Sequence, residues 1–272
     1  MNVPSIRMAD GRDIPQIGLG LWQITDEEQF ETAFRSAIKY GYRHFDSAQA
    51  YRNEQLLGKA VKGSGLPRNE LFITTKIAVQ HFGDKSSRKS FAESLNKLEM
   101  DYVDLLLLHF PVTGLRKSTW KAVEDIKRQG QAKSIGVSNY TIKHLQQLET
   151  YAEILPATNQ VEMHVFLQQQ ELRSYCREHK IIIEAYSPLA HAKDMDNEVI
   201  KGLAKKYSKS YAQIMLRWAL NQDVVIIPKS TNPDRIKENV DILDFDLSEE
   251  DMDLLSRQDR NLRTCWNPEL VP

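Results

Sequence analysis

Three stretches of the sequence decide the fold: 41-GYRHFD-46, 71-LFITTK-76 and 103-VDLLLLH-109. Each is a strand-like run, VDLLLLH being typical of a buried strand in a parallel sheet, and each is followed by a helical pattern. Five further strands are predicted at SIGVS (134–138), ATNQVE (157–162), IIIEAYS (181–187), VVIIPKS (224–230) and VDILDF (240–245). Eight strands that alternate with helices favour a (β/α)₈ barrel of α/β class.

The N-terminal stretch SIRMADGRDIPQIG is predicted to form a β-hairpin, because two short apolar runs flank the turn residues ADGR. Thr25 and Glu28 have the spacing of a capping box, which predicts a helix over roughly 26–40. A doubly wound sheet is the competing architecture, but no G-x-G-x-x-G follows the first strand, and GLG at 18–20 lacks the remaining spacing. With no linker in the pattern, residues 1–272 are predicted to form one domain.

Composition excludes several classes of function. The chain has 272 residues and a net charge of −1, so neither nucleic acid nor an anionic membrane surface is an expected partner. Two cysteines, Cys176 and Cys265, are too few for a disulfide framework and favour a reducing, cytoplasmic location. The N-terminus lacks the apolar core of a signal peptide, and no apolar run is long enough to span a membrane.

Four residues with complementary chemistry lie at or just after predicted strand ends: Asp46, Tyr51, Lys76 and His109. Taken singly, each has an ordinary structural explanation: a capping acid, a packed aromatic, a solvated strand end and a structural histidine. In a (β/α)₈ barrel, however, the carboxyl ends of all strands meet on one face, and that face carries the chemistry. The fold therefore predicts that the four side chains share one cleft.

Together these side chains predict proton transfer to a carbonyl oxygen. A free tyrosine has a pKa of about 10, and a neighbouring ammonium group such as that of Lys76 should lower it. Asp46 can pair with Lys76 and hold it in place, while His109 can donate a second hydrogen bond to the oxygen. Since no side chain supplies hydride, a cofactor is required, and no metal ion is expected.

The segment 227-IPKSTNPDRIKEN-239 predicts an anion site. Pro233 suits the first position of a helix, which makes Asn232 the N-cap. Arg235 then lies in the first turn, where a cation opposes the helix dipole unless an anion is bound nearby. The alternative is a surface ion pair between Arg235 and Glu238.

Seven motifs in order, GYRHFDSAQAYRNE, LFITTK, DLLLLHFP, IGVSN, NQVE, AYSPL and IPKSTNPDRIKEN, resemble the successive signatures of the aldo-keto reductases over nearly the whole chain. The resemblance implies a (β/α)₈ barrel whose base is closed by the N-terminal hairpin. It also implies that Asp46, Tyr51, Lys76 and His109 are the catalytic residues, with Tyr51 as the general acid in reduction.

The same resemblance implies a cofactor site for NADP(H). In the family, the last motif holds the adenosine 2′-phosphate, which here assigns Lys229, Ser230, Arg235, Glu238 and Asn239. The nicotinamide carboxamide is assigned to Ser138, Asn139 and Gln160, the stacking ring to Tyr186, and the pyrophosphate to Ser187 and Leu189. Without the family, the polar residues at these strand ends would be interpreted as turn formers and Tyr186 as core.

Trp22, Phe110 and Trp266 are predicted to line the substrate pocket. Phe110 follows His109 where the family often has tryptophan, and the loops after the strands are short, as in bacterial-type members. We therefore expect a monomeric NADPH-dependent reductase of small aldehydes or ketones. The alternatives are a redox-sensing subunit that binds the cofactor with little turnover, and a phosphate-sugar isomerase barrel. The second lacks the glycine-rich phosphate loop that it would need.

Overall fold

The computed structural model describes residues 3–194 and 196–272. A two-stranded antiparallel hairpin, β1 (Ser5–Arg7) and β2 (Asp13–Pro15), precedes an eight-stranded parallel sheet. The sheet runs in chain order through β3 (Gly18–Gly20), β4 (His44–Asp46), β5 (Phe72–Ile77), β6 (Val103–Leu108), β7 (Ala132–Ser138), β8 (Thr158–Glu162), β9 (Ile182–Tyr186) and β10 (Val225–Ile226). A parallel bridge between Ile17 and Ile226 joins the two edges, so the sheet closes into the predicted (β/α)₈ barrel.

Helices surround the barrel and bury apolar side chains. In the first of them the buried residues are Phe30, Ala33, Phe34 and Ala37, which have the spacing of one helical face. The helices are α1 (Glu27–Lys39), α2 (Glu54–Gly63), α3 (Asp84–Leu98), α4 (Arg116–Arg128), α5 (Ile142–Glu149), α6 (Gln170–Glu178), α7 (Glu198–Tyr207), α8 (Tyr211–Leu220), α9 (Pro233–Val240) and α10 (Glu249–Ser256).

The hairpin closes the amino-terminal end of the barrel. Its Met8 and Ile14 are buried and pack with Phe72, Leu105 and Val225 in one apolar cluster inside the strands. This cluster seals the base with apolar side chains, as the sequence predicted. The opposite, carboxyl end of the barrel is therefore the end that can open to a ligand.

Two details of the prediction are wrong. Residues 240–245 do not form the eighth strand, because Val240 ends α9 and the chain then turns. The missing strand is Gly18–Gly20, where a Cβ on Gly20 would lie 2.8 Å from the carbonyl oxygen of Ile227. Glycine is thus required by the close approach at the barrel seam, although it has a low strand propensity.

The second detail is the start of α1. Asp26 is the N-cap, and its side chain accepts a hydrogen bond from the backbone N–H of Gln29. The predicted cap, Thr25, lies one residue too early. Asp and Thr are both good caps, so residue type alone did not separate the two positions.

Candidate active site

The barrel brings the four predicted catalytic residues together. Asp46 is the last residue of β4, Lys76 lies near the end of β5, and His109 directly follows β6. Tyr51 ends a short 3₁₀ turn, Gln49–Tyr51, that follows β4. The side chains converge because all parallel strands end at the same mouth of the barrel, and each of these residues lies at or just after a strand end.

Lys76 is the centre of this group. Its Nζ donates hydrogen bonds to Asp46 Oδ1 at 2.5 Å, to the carbonyl oxygen of Ser47 at 2.9 Å and to the Tyr51 hydroxyl oxygen at 3.4 Å. Lys76 and Asp46 are almost completely buried. The Tyr51 and His109 rings meet edge to face, with centroids 5.6 Å apart. A hydroxyl and an imidazole therefore lie side by side above a buried ion pair.

Burial and charge set the protonation states of the group. Burial would lower the pKa of Lys76, but the charge of Asp46 and the proximity of Tyr51 outweigh it and raise the pKa, so Lys76 is an ammonium. Burial and then the charge of Lys76 lower the pKa of His109 to about 3, which keeps its imidazole neutral. A neutral imidazole still carries one N–H donor.

The predicted lowering of the tyrosine pKa is wrong for the protein alone. Burial raises the pKa of Tyr51 above its usual value, although the nearby Lys76 opposes this shift. The sequence showed the ammonium but did not show how deeply the phenol would be buried. The consequence is that Tyr51 carries its proton at neutral pH, as a proton donor must.

Two further ionisable groups lie deeper in the barrel, where both are fully buried: His44 and Glu184. Their side chains approach within 3.5 Å. Burial and then the charge of Asp46 raise the pKa of Glu184 to about 8, and burial lowers the pKa of His44 to about 4. Both are thus mainly uncharged at neutral pH, which leaves Asp46 as the charged partner of Lys76.

A cavity of about 640 Å³ opens above these residues at the carboxyl end of the barrel. Many of the predicted site residues line it: Trp22, Asp46, Tyr51, His109, Ser138, Asn139, Gln160, Tyr186, Ser187, Leu189, Lys229 and Trp266. Phe110 directly follows His109 but is not among the residues that line this cavity, so its place in the substrate pocket stays a prediction.

Polar side chains form a hydrogen-bonded chain along one wall of the cavity. Gln160 Nε2 donates to Asp46 Oδ2 at 2.9 Å, and Ser138 Oγ donates to the carbonyl oxygen of Gln160 at 2.9 Å. Asn139 Nδ2 donates to Ser138 Oγ at 3.0 Å, and the Tyr186 hydroxyl donates to Asn139 Oδ1 at 2.7 Å. Amides, a hydroxyl and an aromatic ring are thus fixed beside the catalytic group, which fits a planar ring with a carboxamide.

The residues assigned to the 2′-phosphate begin at the cavity wall and continue along the chain onto α9. Lys229 lines the cavity, Ser230 is buried in the next turn, and Arg235 is exposed on α9. Asn232 caps the helix as predicted, since its Oδ1 accepts from the backbone N–H groups of Asp234 and Arg235. These two N–H groups are already satisfied, so the side chains of Lys229, Ser230 and Arg235 are the donors that fit a phosphate.

The two other residues assigned to the 2′-phosphate lie on α9 and not on the cavity wall. Asn239 is buried and Glu238 is half-buried. The alternative surface pair between Arg235 and Glu238 is not present among the ion pairs of the described residues. The exposed Arg235 guanidinium is therefore available to a ligand.

Two cavity residues with ionisable side chains, His191 and Cys265, were not predicted from the sequence. His191 follows β9, and its Nε2 lies 3.2 Å from the sulfur of Cys265, near the C-terminus. The His191 ring also meets Trp22 edge to face, with centroids 5.8 Å apart. Cys265 directly precedes Trp266, which was predicted, so its position in the sequence was a usable signal. His191 lies in an irregular loop and gave none.

A parallel eight-stranded barrel with a tyrosine, a lysine, a carboxylate and an imidazole at its carboxyl end defines the nicotinamide-dependent carbonyl oxidoreductases of this fold. The model of the aldo/keto reductase family matches residues 16–259, and the chain belongs to that family. It is an oxidoreductase that acts on carbonyl groups and uses NADP(H).

Similar proteins cover almost the whole chain. Glyoxal reductase of Bacillus subtilis (strain 168) is 42% identical over 265 residues, which are 97% of this chain and 96% of the relative. Methylglyoxal reductase DkgA of Escherichia coli (strain K12) is 41% identical over 272 residues, 98% of each chain. The crystal structure of a Bombyx mori aldo-keto reductase in complex with NADP is 32% identical, with a TM-score of 0.91, covering 97% of this chain and 95% of that one.

Proposed function

We propose that this NADPH-dependent reductase converts short aldehydes and ketones, foremost 1,2-dicarbonyls, to alcohols, and that Asp46, Tyr51, Lys76 and His109 carry out the proton transfer. The observation that carries the proposal is the Tyr51 hydroxyl, which lies 3.4 Å from the Lys76 ammonium at the floor of an open cavity. A phenol in this position can protonate an oxygen as charge develops on it.

The geometry assigns one step to each side chain. NADPH, when bound, supplies the hydride that reduces the carbonyl carbon. The Tyr51 hydroxyl gives its proton to the carbonyl oxygen, and the Lys76 ammonium stabilises the phenolate that remains. Asp46 holds Lys76 charged and in place. The neutral His109 donates its N–H to the same oxygen and so stabilises the developing charge.

The cavity supports a preference for short substrates. Its rim is formed by Trp22 and Trp266, whose side chains are still 39% and 67% exposed. Walls this open enclose little of a substrate beyond its reacting group. Both bacterial relatives above are named for the reduction of two- and three-carbon dicarbonyls.

The experiment that tests the proposed function is a panel of carbonyl compounds with NADPH. The purified protein should oxidise NADPH with methylglyoxal and glyoxal at a higher kcat/KM than with butanal or benzaldehyde, measured by the loss of NADPH absorbance. Turnover confined to one bulky substrate would contradict the substrate class. No turnover with any member would contradict the activity and favour the cofactor-binding subunit.

Chain length should have a small effect on specificity. One methylene in a fully enclosed apolar pocket contributes about 1–3 kcal/mol, and the open rim predicts the low end of this range or less. Along straight-chain aldehydes from propanal to octanal, kcat/KM should therefore change little. A steep rise toward one long or aryl aldehyde would show an enclosed pocket and contradict this interpretation of the cavity.

We further propose that the cofactor lies along the cavity, with its nicotinamide beside Ser138, Asn139, Gln160 and Tyr186. Its pyrophosphate then lies at Ser187 and Leu189. The adenosine 2′-phosphate lies at Lys229, Ser230 and Arg235, with Glu238 and Asn239 on the helix behind. The proposal is supported by the cavity lining, which includes Ser138, Asn139, Gln160, Tyr186, Ser187, Leu189 and Lys229.

Arg235→Ala should weaken NADPH binding much more than NADH binding. A charge-assisted hydrogen bond contributes about 1.5–3 kcal/mol, so a loss of about tenfold to a hundredfold is expected for NADPH alone. The measurement is direct titration of both cofactors. Lys237→Ala removes another exposed cation of the same helix and should leave both affinities near wild type. Equal losses for the two cofactors in Arg235→Ala would contradict the 2′-phosphate site.

The alternative of a cofactor-binding subunit with little turnover is not favoured, because the similar proteins are reductases and the four proton-transfer residues are assembled. No helix in the described residues is long and apolar enough to cross a membrane. We propose a single-domain monomer in the cytoplasm. Sedimentation of the purified protein tests the oligomeric state, and fractionation of the source cells tests the location.

A further inference from the structure

Glu162, the last residue of β8, is a fully buried carboxylate that takes no part in the proposed proton transfer. Its Oε1 accepts hydrogen bonds from the backbone N–H of Thr264 at 2.7 Å and from the Thr264 hydroxyl at 2.5 Å. Its Oε2 accepts from the backbone N–H of Cys265 at 3.1 Å. One side chain of the barrel thus binds two consecutive residues of the C-terminal segment.

The residues it binds belong to the cavity wall. Thr264, Cys265 and Trp266 line the cavity above Tyr51 and His109. On its other side, the same segment borders a second, wider groove of about 1030 Å³, which Arg263 and Pro268 to Pro272 help to line. The segment therefore lies between two open spaces.

The carboxylate is built to remain charged in this position. Burial alone would raise the pKa of Glu162, but hydrogen bonds from His164, Thr264 and Cys265 outweigh burial and hold the pKa below its usual value. The guanidinium of Arg263 lies 3.9 Å from Oε2. An ionised carboxylate accepts on both oxygens, which is what the Thr264 and Cys265 donors require.

We propose that Glu162 is a positioning residue for the substrate: it anchors residues 263–266 as the wall of the active-site cavity and so sets the affinity for the carbonyl compound. The effect on the substrate should exceed the effect on the cofactor, since the proposed nicotinamide residues lie on β7, β8 and β9 and not on this segment. The kinetic part of the inference rests on the proposed function, whereas the anchoring itself does not.

Glu162→Gln is the variant that tests the anchor. Glutamine keeps the volume but accepts at one oxygen only, and its NH₂ group then faces an N–H donor. KM for methylglyoxal should rise about tenfold, the size expected for the loss of one charge-assisted hydrogen bond. Because the anchor acts on binding rather than on chemistry, kcat and the Kd of NADPH should change by less than about twofold.

Glu124 provides a matched control. It is also a buried carboxylate, and its Oε1 accepts from two consecutive backbone N–H groups, those of Glu153 and Ile154, at 2.7 and 2.8 Å. Its loop precedes β8 and so lies toward the opposite end of the barrel from the cavity. Glu124→Gln should cost comparable stability and leave KM near the wild-type value.

Hydrogen exchange measures the anchor without turnover. In Glu162→Gln the backbone amides of Thr264 and Cys265 should exchange faster than in wild type, with no change at Glu153 and Ile154. The control variant should show the reverse pattern. Wild-type exchange at Thr264 and Cys265 in Glu162→Gln would overturn the proposal, whatever the substrate.

The kinetic outcomes separate the two hypotheses. If methylglyoxal is a poor substrate, the proposed substrate class fails, and KM is measured with the best compound of the panel. An unchanged KM in Glu162→Gln, or equal losses for substrate and NADPH, would overturn the anchor alone. If this variant does not fold, Thr264→Val decides, since it removes only the hydroxyl donor. It should raise KM and amide exchange in the same direction, and wild-type values for both would overturn the proposal.

Discussion

Tyr51→Phe should lower kcat for carbonyl reduction by at least about 10²–10⁴-fold, the range expected when a general acid is removed. The Tyr51 hydroxyl borders the cavity and accepts a hydrogen bond from Lys76 Nζ at 3.4 Å. Phenylalanine keeps the ring and its edge-to-face packing with His109. The Kd of NADPH should therefore stay within about twofold of wild type, and the loss should be confined to turnover.

Tyr175→Phe is the control for the loss of a hydrogen-bonded phenol. The Tyr175 hydroxyl donates to Glu149 Oε1 at 2.8 Å on the outer helices, away from the cavity. This variant should turn over at the wild-type rate. Near wild-type reduction by Tyr51→Phe would show that another group, or water, donates the proton, and the proposed mechanism would then be wrong.

The grouping of Asp46, Tyr51, Lys76 and His109 was predictable because strand ends are local and the barrel geometry is general. Asp46, Lys76 and His109 each close a strand-like run, and a parallel barrel places such positions on one face whatever the helices contain. Tyr51 follows β4 within five residues, so it had little room to leave that face. The buried ion pair and the 3.4 Å contact of Tyr51 then depend on side-chain packing, which no spacing reveals.

The seam of the barrel was not predictable from propensity. Gly18 and Gly20 form a strand by pairing with β4. The neighbouring chains leave no room for a side chain there, since a Cβ on Gly18 would lie 2.7 Å from His44 Nδ1. Residues 240–245 have the apolar residues of a strand, yet no open edge is left for them. Both errors arise from crowding between segments that are distant in the sequence, and a local sequence pattern does not show such crowding.

Protonation states depend on how deeply each ionisable group is buried, which the sequence does not show. The sequence predicted the ammonium of Lys76, but burial outweighs its charge and raises the pKa of Tyr51. Glu162 had the same signal as Asp46, an acid at the end of a strand. Its partners, Thr264 and Cys265, are about a hundred residues away in the chain, so these hydrogen bonds are visible only in the folded structure.

Lys76→Met should reduce turnover severely and also destabilise the protein. Lys76 and Asp46 are paired at 2.5 Å with almost no solvent exposure. Removing one partner of a buried ion pair typically costs about 3–5 kcal/mol, because the other charge is left uncompensated. The free energy of unfolding, measured with urea, should fall by this amount. Turnover should be measured under conditions in which the variant is still folded.

The pH dependence distinguishes tuning of Tyr51 from a purely structural role of Lys76. In wild type, Lys76 lowers the pKa of Tyr51 and so opposes burial, which raises it. Without Lys76, burial and the charge of Asp46 dominate, and both raise the Tyr51 pKa. Alcohol oxidation with NADP⁺ needs the phenolate as base, so its rising limb should move to higher pH.

The double variant Asp46→Asn with Lys76→Met completes this test. It removes the stranded acid together with the lysine, so most of the lost stability should return. Turnover should not return, because nothing then stabilises the phenolate that Tyr51 becomes when it gives up its proton. If turnover recovered together with stability, Lys76 would act only by neutralising Asp46. An unchanged oxidation limb in Lys76→Met would likewise show that Lys76 does not tune Tyr51.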